Sequence, residues 1–142
     1  MSYSGVYIHM VFTTKYNRGI LDDSIRRKIF FHILENAKAK GINLVCLNGY
    51  TNHLHCLIRL GRELSISRTA QLIKGESSYW INQNKLLKQK FSWQDDYWVT
   101  GVEMKNVESV RQYILKQEEH HRRLSDEEVM KNFLRDHGFS RG

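Results

Sequence analysis

The run His53-Leu54-His55-Cys56-Leu57-Ile58 sets histidine against apolar residues at a period of two. Successive side chains of an extended strand point to opposite faces. Leu54, Cys56 and Ile58 then share a face that needs a hydrophobic layer over it, while His53 and His55 stand together on the other. Such a strand calls for a sheet covered by helices on one side, with two imidazoles on the opposite side. Neighbouring imidazoles can hold a metal ion, and they can equally be half-buried sheet residues hydrogen-bonded to their surroundings.

The rest of the chain supplies the partners for this strand. Val6, Ile8, Met10 and Phe12 fall on one face of a first strand, and Tyr7, His9 and Val11 on the other. Lys15-Tyr16-Asn17-Arg18-Gly19 reads as a basic loop. Asp22 or Asp23 caps a helix in which Ile25, Ile29, Ile33 and Ala37 recur every four residues, and Gly41 ends it. A second strand spans Ile42 to Leu47, with Asn48-Gly49 as its turn signal, and the histidine strand follows. Ser65 opens a helix carrying Ile66, Ala70, Ile73, Trp80 and Ile81. Gly75 interrupts that helix at a cost of about 1 kcal/mol relative to alanine, which asks for a packing or ligand-contact reason. Tyr97 to Met104 reads as a fourth strand, and Asn106 caps a helix running through Tyr113 and Gln117. Ser125 and Glu128 have capping-box spacing for a last short helix.

Strand, helix, strand, strand, helix, strand is the order of a split βαβ unit. The expected fold is α+β: a ferredoxin-like, RRM-like sandwich, its antiparallel sheet carrying two crossover helices on one face, plus a C-terminal helix bearing Tyr113. The first and third strands are then central, and His53 and His55 lie mid-sheet, away from the crossover helices. A length of 142 residues suits one domain over 1–142.

Composition narrows the function classes. The formal charge is +7, from 22 Lys+Arg against 15 Asp+Glu, which favours an anionic partner such as nucleic acid. No apolar run is long enough to span a bilayer, and no signal segment opens the sequence, so the expected place is the cytoplasm, with no membrane partner. Cys46 and Cys56 are too few for a disulfide framework and read as small buried hydrophobes.

A metal on the histidine pair needs a third protein ligand. Cys56 points away from His55, which argues against a closed structural zinc site and for an open one. The last helix offers Tyr113 and Gln117, four residues apart and therefore on one face. His120 and His121 follow as ligands, phosphate contacts or plain surface residues.

Taken in order, these segments closely resemble the single-tyrosine HUH transposases of small bacterial insertion sequences and their REP-associated relatives. The segments are Tyr7-Ile8-His9-Met10-Val11-Phe12-Thr13-Thr14-Lys15, Asn48-Gly49-Tyr50 leading into His53-Leu54-His55, Gln71 to Ser78, Phe91 to Asp95, and Tyr113 to Gln117 with His120-His121. They cover nearly the whole chain. The resemblance implies cleavage and rejoining of single-stranded DNA beside a hairpin. Tyr113 would be the nucleophile, and His53, His55 and Gln117 would hold Mg2+ or Mn2+. It also implies a homodimer in which the tyrosine helix of one subunit completes the site of the other. Candidate DNA contacts are Lys15, Arg18, Lys74, Lys88, Lys90, Arg122 and Arg123, with Arg26, Arg27 and Lys85 beside them. Tyr16, Trp93, Tyr97 and Trp98 are candidate base-stacking residues. The competing readings are a domesticated REP-type nuclease and a non-catalytic RRM-like nucleic-acid-binding module, although the usual Gly-aromatic signature of the latter is missing.

Overall fold

The structure, a computed structural model, describes residues 5–117. The Ser125–Glu128 helix and His120, His121, Arg122 and Arg123 lie outside the described residues. Four strands form one sheet: β1 (Tyr7–Thr13), β2 (Asn43–Tyr50), β3 (His53–Arg59) and β4 (Trp98–Val102), in the spatial order β2-β3-β1-β4. Every pairing is antiparallel. The helices are α1 (Asp23–Ala39), α2 (Ile66–Gln83) and α3 (Val107–Leu115). This is the expected α+β arrangement, with β1 and the histidine strand at its centre.

The alternating apolar residues explain the layering. Ile8, Met10 and Phe12 of β1 and Leu54, Cys56 and Ile58 of β3 pack against Ile29 and Ile33 of α1 and Ala70, Ile73 and Ile81 of α2. Asp22 caps α1 by accepting from the Ile25 amide, and Ser65 caps α2 by accepting from the Arg68 amide. Gly75 has open space where a Cβ would stand, so helix packing supplies no reason for it.

A smaller cluster on the opposite face joins Cys46 and Leu57 to Val110 and Ile114 of α3. A register irregularity between Leu44 and Cys46 makes that split possible. Leu44 pairs with Ile58, yet Cys46 pairs with Leu57. The extra residue, Val45, reverses the facing of the strand residues after it. Leu44 therefore packs with the main core and Cys46 lies under α3. Burial pushes the Cys46 thiol up to about 11 and raises Cys56 as well. Neither forms a disulfide, and both are the small buried hydrophobes expected.

The Asn48-Gly49 turn is corrected: both residues belong to β2, and the turn falls at Thr51-Asn52. Cross-strand pairing overrides the local signal. With the turn at Thr51-Asn52, Leu47 stands opposite Cys56 and Leu44 opposite Ile58. A turn at Asn48-Gly49 would leave Cys56 and Ile58 beyond the hairpin. Gly49 is needed for a different reason, because a Cβ there would stand 2.1 Å from the His53 carbonyl oxygen. Gly49→Ala is therefore expected to destabilise the fold by about 3 kcal/mol, since a backbone atom cannot swing aside; chemical denaturation measures the loss.

Candidate active site

The antiparallel register builds the site's floor. Across the sheet, Asn48, His55, Val11 and Trp98 stand opposite one another, and so do Tyr50, His53 and Thr13. Facing residues of an antiparallel pair share a side, so these rows lie on the face that α3 partly covers. His53 and His55 are buried, their ring centroids 5.0 Å apart and nearly perpendicular at 85°.

α3 brings the other two predicted residues over this floor. Val110 and Ile114 seat the helix on Cys46 and Leu57, and Asn48 Nδ2 donates to the Leu115 carbonyl over 3.1 Å. Asn48 is thus a strand residue that fastens the end of the tyrosine helix. At its start, Glu108 accepts from Arg111 and Gln112, which hold its carboxyl down to about 2. Asn106 precedes the helix, but its side chain makes no capping bond, contrary to the expected role. The tyrosine ring lies edge-on to His55 at a centroid separation of 6.2 Å, and Gln117 is fully buried.

Hydrogen bonds fix how these groups face one another. Gln117 Nε2 donates to the Tyr113 carbonyl at 3.3 Å, which turns Oε1 toward His53 Nε2, 3.2 Å away. His53 Nδ1 lies 2.8 Å from Asn52 Oδ1. Both neighbours of the ring are amide oxygens, which only accept, so a neutral His53 donates to one of them and meets the other with a lone pair. Two acceptors then face each other, an arrangement that a cation between them relieves. Among the described residues, no three His, Cys, Asp or Glu groups are arranged to hold a metal. The groups brought together that could serve as donors are two imidazoles and an amide oxygen, a set that would suit an ion with open positions for oxygen ligands.

His9 escaped the sequence-based site. It is fully buried on β1, and its Nε2 lies 3.0 Å from His55 Nδ1. The signal was present: Ile8, Met10 and Phe12 go to the helix side, which sends His9 to the side of His53 and His55.

The basic and aromatic candidates divide. Lys15, Arg18, Lys88 and Lys90 are exposed. Exposed Tyr16 carries the Lys15 and Arg18 cations 5.5 and 5.3 Å from its ring centre. This loop begins two residues beyond Thr13, which pairs with His53, and Tyr16 and Asn17 both have positive φ, at 62° and 58°. Lys74 is half-buried and donates to the Asp95 carbonyl at 2.7 Å; burial lowers its pKa. Arg27 and Lys85 are exposed as well. Arg26 is instead buried, donating to the Leu21 carbonyl just ahead of α1 and to Asp23 in its first turn. Trp93 is also corrected: it is a core residue, packed on Phe91 and Phe12 and donating to Ser77 Oγ at 2.9 Å. Tyr97 packs against Phe12. Trp98 is half-exposed on the histidine face.

Comparison with known proteins bears on the family and the fold. The family model described as "Transposase IS200 like" matches residues 2–117. A crystal structure of a candidate transposase from Deinococcus radiodurans superposes with a TM-score of 0.66 at 24% identity, covering 82% of this chain and 95% of that one. A REP-associated tyrosine transposase bound to a REP hairpin gives 0.63 at 17% identity, covering 85% and 71%. No curated protein matches the chain. At these identities the two structures speak for the fold, and the family match speaks for kinship. Among the described residues no helix is long and apolar enough to cross a membrane. With its match over residues 2–117, the chain belongs to the IS200-like transposases, enzymes that cut and transfer DNA.

Proposed function

We propose that this transposase nicks and rejoins single-stranded DNA through a 5′-phosphotyrosine formed on Tyr113. The observation that carries the reading is the meeting of Tyr113 and Gln117, one helical turn apart, with the His53–His55 pair. His53, His55 and Gln117 would hold a divalent cation, Mg2+ or Mn2+. When bound, that ion would offset the negative charge of the scissile phosphate and polarise it. Gln117 presents its oxygen because its amide nitrogen is engaged by the Tyr113 carbonyl. The backbone of the same turn thus ties the nucleophile's residue to the ligand's.

A free phenol titrates near pH ~10 and is a weak nucleophile until its proton leaves to solvent. Attack by the Tyr113 oxygen forms the aryl phosphate ester and breaks the bond from phosphorus to the 3′ oxygen. The leaving strand takes up a proton as a 3′ hydroxyl. A second 3′ hydroxyl reverses the step, so strand joining needs no nucleoside triphosphate.

DNA would reach the site along the exposed basic residues Lys15, Arg18, Lys88 and Lys90, with Tyr16 and Trp98 as stacking surfaces. Lys74, Arg122 and Arg123 complete the proposed contacts. Hairpin recognition is carried over from the REP-associated relative, which was solved with its hairpin.

The direct test is incubation with labelled single-stranded DNA carrying the element's hairpin, with and without Mn2+. A covalent protein–DNA adduct is expected only with the ion. A non-catalytic binding module would hold the DNA equally in both and never form the adduct. The homodimer, with the tyrosine helix of one subunit acting in the site of the other, belongs to the proposal. Mixing Tyr113→Phe with His53→Ala should then restore the adduct. No restoration in mixed dimers would mean that each tyrosine serves its own subunit.

A further inference from the structure

We infer that His9 is a positioning residue, holding His55 in the tautomer that carries a lone pair on Nε2 for a cation. The inference deepens the proposed function and rests on its assignment of His55 as a ligand. A neutral imidazole carries one proton, and the hydrogen bond at one nitrogen decides what the other can do. His9 Nε2 and His55 Nδ1 are 3.0 Å apart and buried. A proton shared between them belongs to one ring or the other. If His9 donated, neutral His55 would carry its remaining proton on Nε2 and have no lone pair for an ion there. If His55 donates from Nδ1, its Nε2 is a ligand and His9 carries its own proton on Nδ1.

The neighbouring histidine supports the second assignment. His53 is anchored through Nδ1 on Asn52, which turns its Nε2 to Gln117. His55 repeats the pattern, Nδ1 anchored and Nε2 directed away from the anchor, with a histidine of the next strand in place of an amide. The sheet fixes this partner firmly. Val11 stands directly opposite His55 and His9 opposite Leu57, so His9 is the diagonal neighbour on the same face. Its ring plane is tilted 47° to that of His55 at a centroid distance of 5.2 Å, so the two rings meet at their edges and do not stack.

The experiment has two arms on the full chain without DNA. Long-range proton–nitrogen NMR of the metal-free protein, above the titration range of imidazole, should show neutral His55 protonated on Nδ1. Mn2+ binding, followed by electron paramagnetic resonance, should weaken about 10–100-fold in His9→Leu, the scale typical of lost outer-shell partners. His9→Gln places an amide oxygen near the lost nitrogen and should restore affinity to within about threefold. A wild-type His55 protonated on Nε2 overturns the inference, whatever the variants do. So does a His9→Leu protein that binds Mn2+ as tightly as wild type. A wild type that binds no Mn2+ overturns this inference and the metal reading together, a result distinct from equal binding by both proteins. If His9→Leu fails to fold by circular dichroism, the wild-type tautomer and His9→Gln still decide.

Discussion

Tyr113→Phe should abolish the covalent adduct with single-stranded DNA while leaving DNA binding within about twofold. The substitution removes one oxygen and keeps the ring that packs edge-on to His55. Without that oxygen no aryl phosphate ester can form, so the expected loss is complete. Losing one hydroxyl costs stability about 1 kcal/mol, too little to unfold the protein. Comparing adduct on denaturing gels with binding by fluorescence anisotropy separates the two effects. An adduct of undiminished yield would take the nucleophile's role from Tyr113, and the tyrosine that carries the DNA could then be found by mass spectrometry.

His53→Ala should slow strand cleavage at least about 10²–10³-fold, the loss typical when one preorganised group facing the reacting charge is removed. His53 holds a central place in the bonding pattern, fixed by Asn52 on one nitrogen and facing Gln117 with the other. Its removal takes away a donor of the proposed cation site and also frees Gln117 to turn. Binding of DNA should survive, because the exposed basic residues are untouched. The substitution empties part of a buried position, so the measurement needs circular dichroism beside single-turnover kinetics. Wild-type cleavage rates in a folded His53→Ala protein would remove His53 from the mechanism. Weakened cleavage that excess Mn2+ partly restores would strengthen its role as a ligand.

Much of this architecture was legible because burial leaves a periodic trace. The alternation in Val6 to Phe12 and His53 to Ile58 identified the two central strands, and the four-residue spacing of Ile25, Ile29, Ile33 and Ala37 identified α1. The Asn48-Gly49 signal misled because turn preference is a local term and strand pairing is not. Matching Leu44 and Leu47 with Ile58 and Cys56 outweighs it. Trp93 and Arg26 misled for a related reason. Indole and guanidinium groups serve equally at a DNA surface and in a core, and only their neighbours, Ser77 for one and the Leu21 carbonyl for the other, distinguish the two uses.

The sequence by itself determined which strands are central, which faces are apolar and that His53 and His55 share a side, since those follow from periods of two and of about four along one chain. Tertiary structure decided what those histidines meet. Gln117 reaches His53 only because α3 folds back onto the sheet over Cys46 and Leu57, and His9 reaches His55 only because β1 pairs with β3 in one register. Sites assembled from residues 46 and 64 positions apart along the chain depend on packing, and packing leaves no local pattern to read.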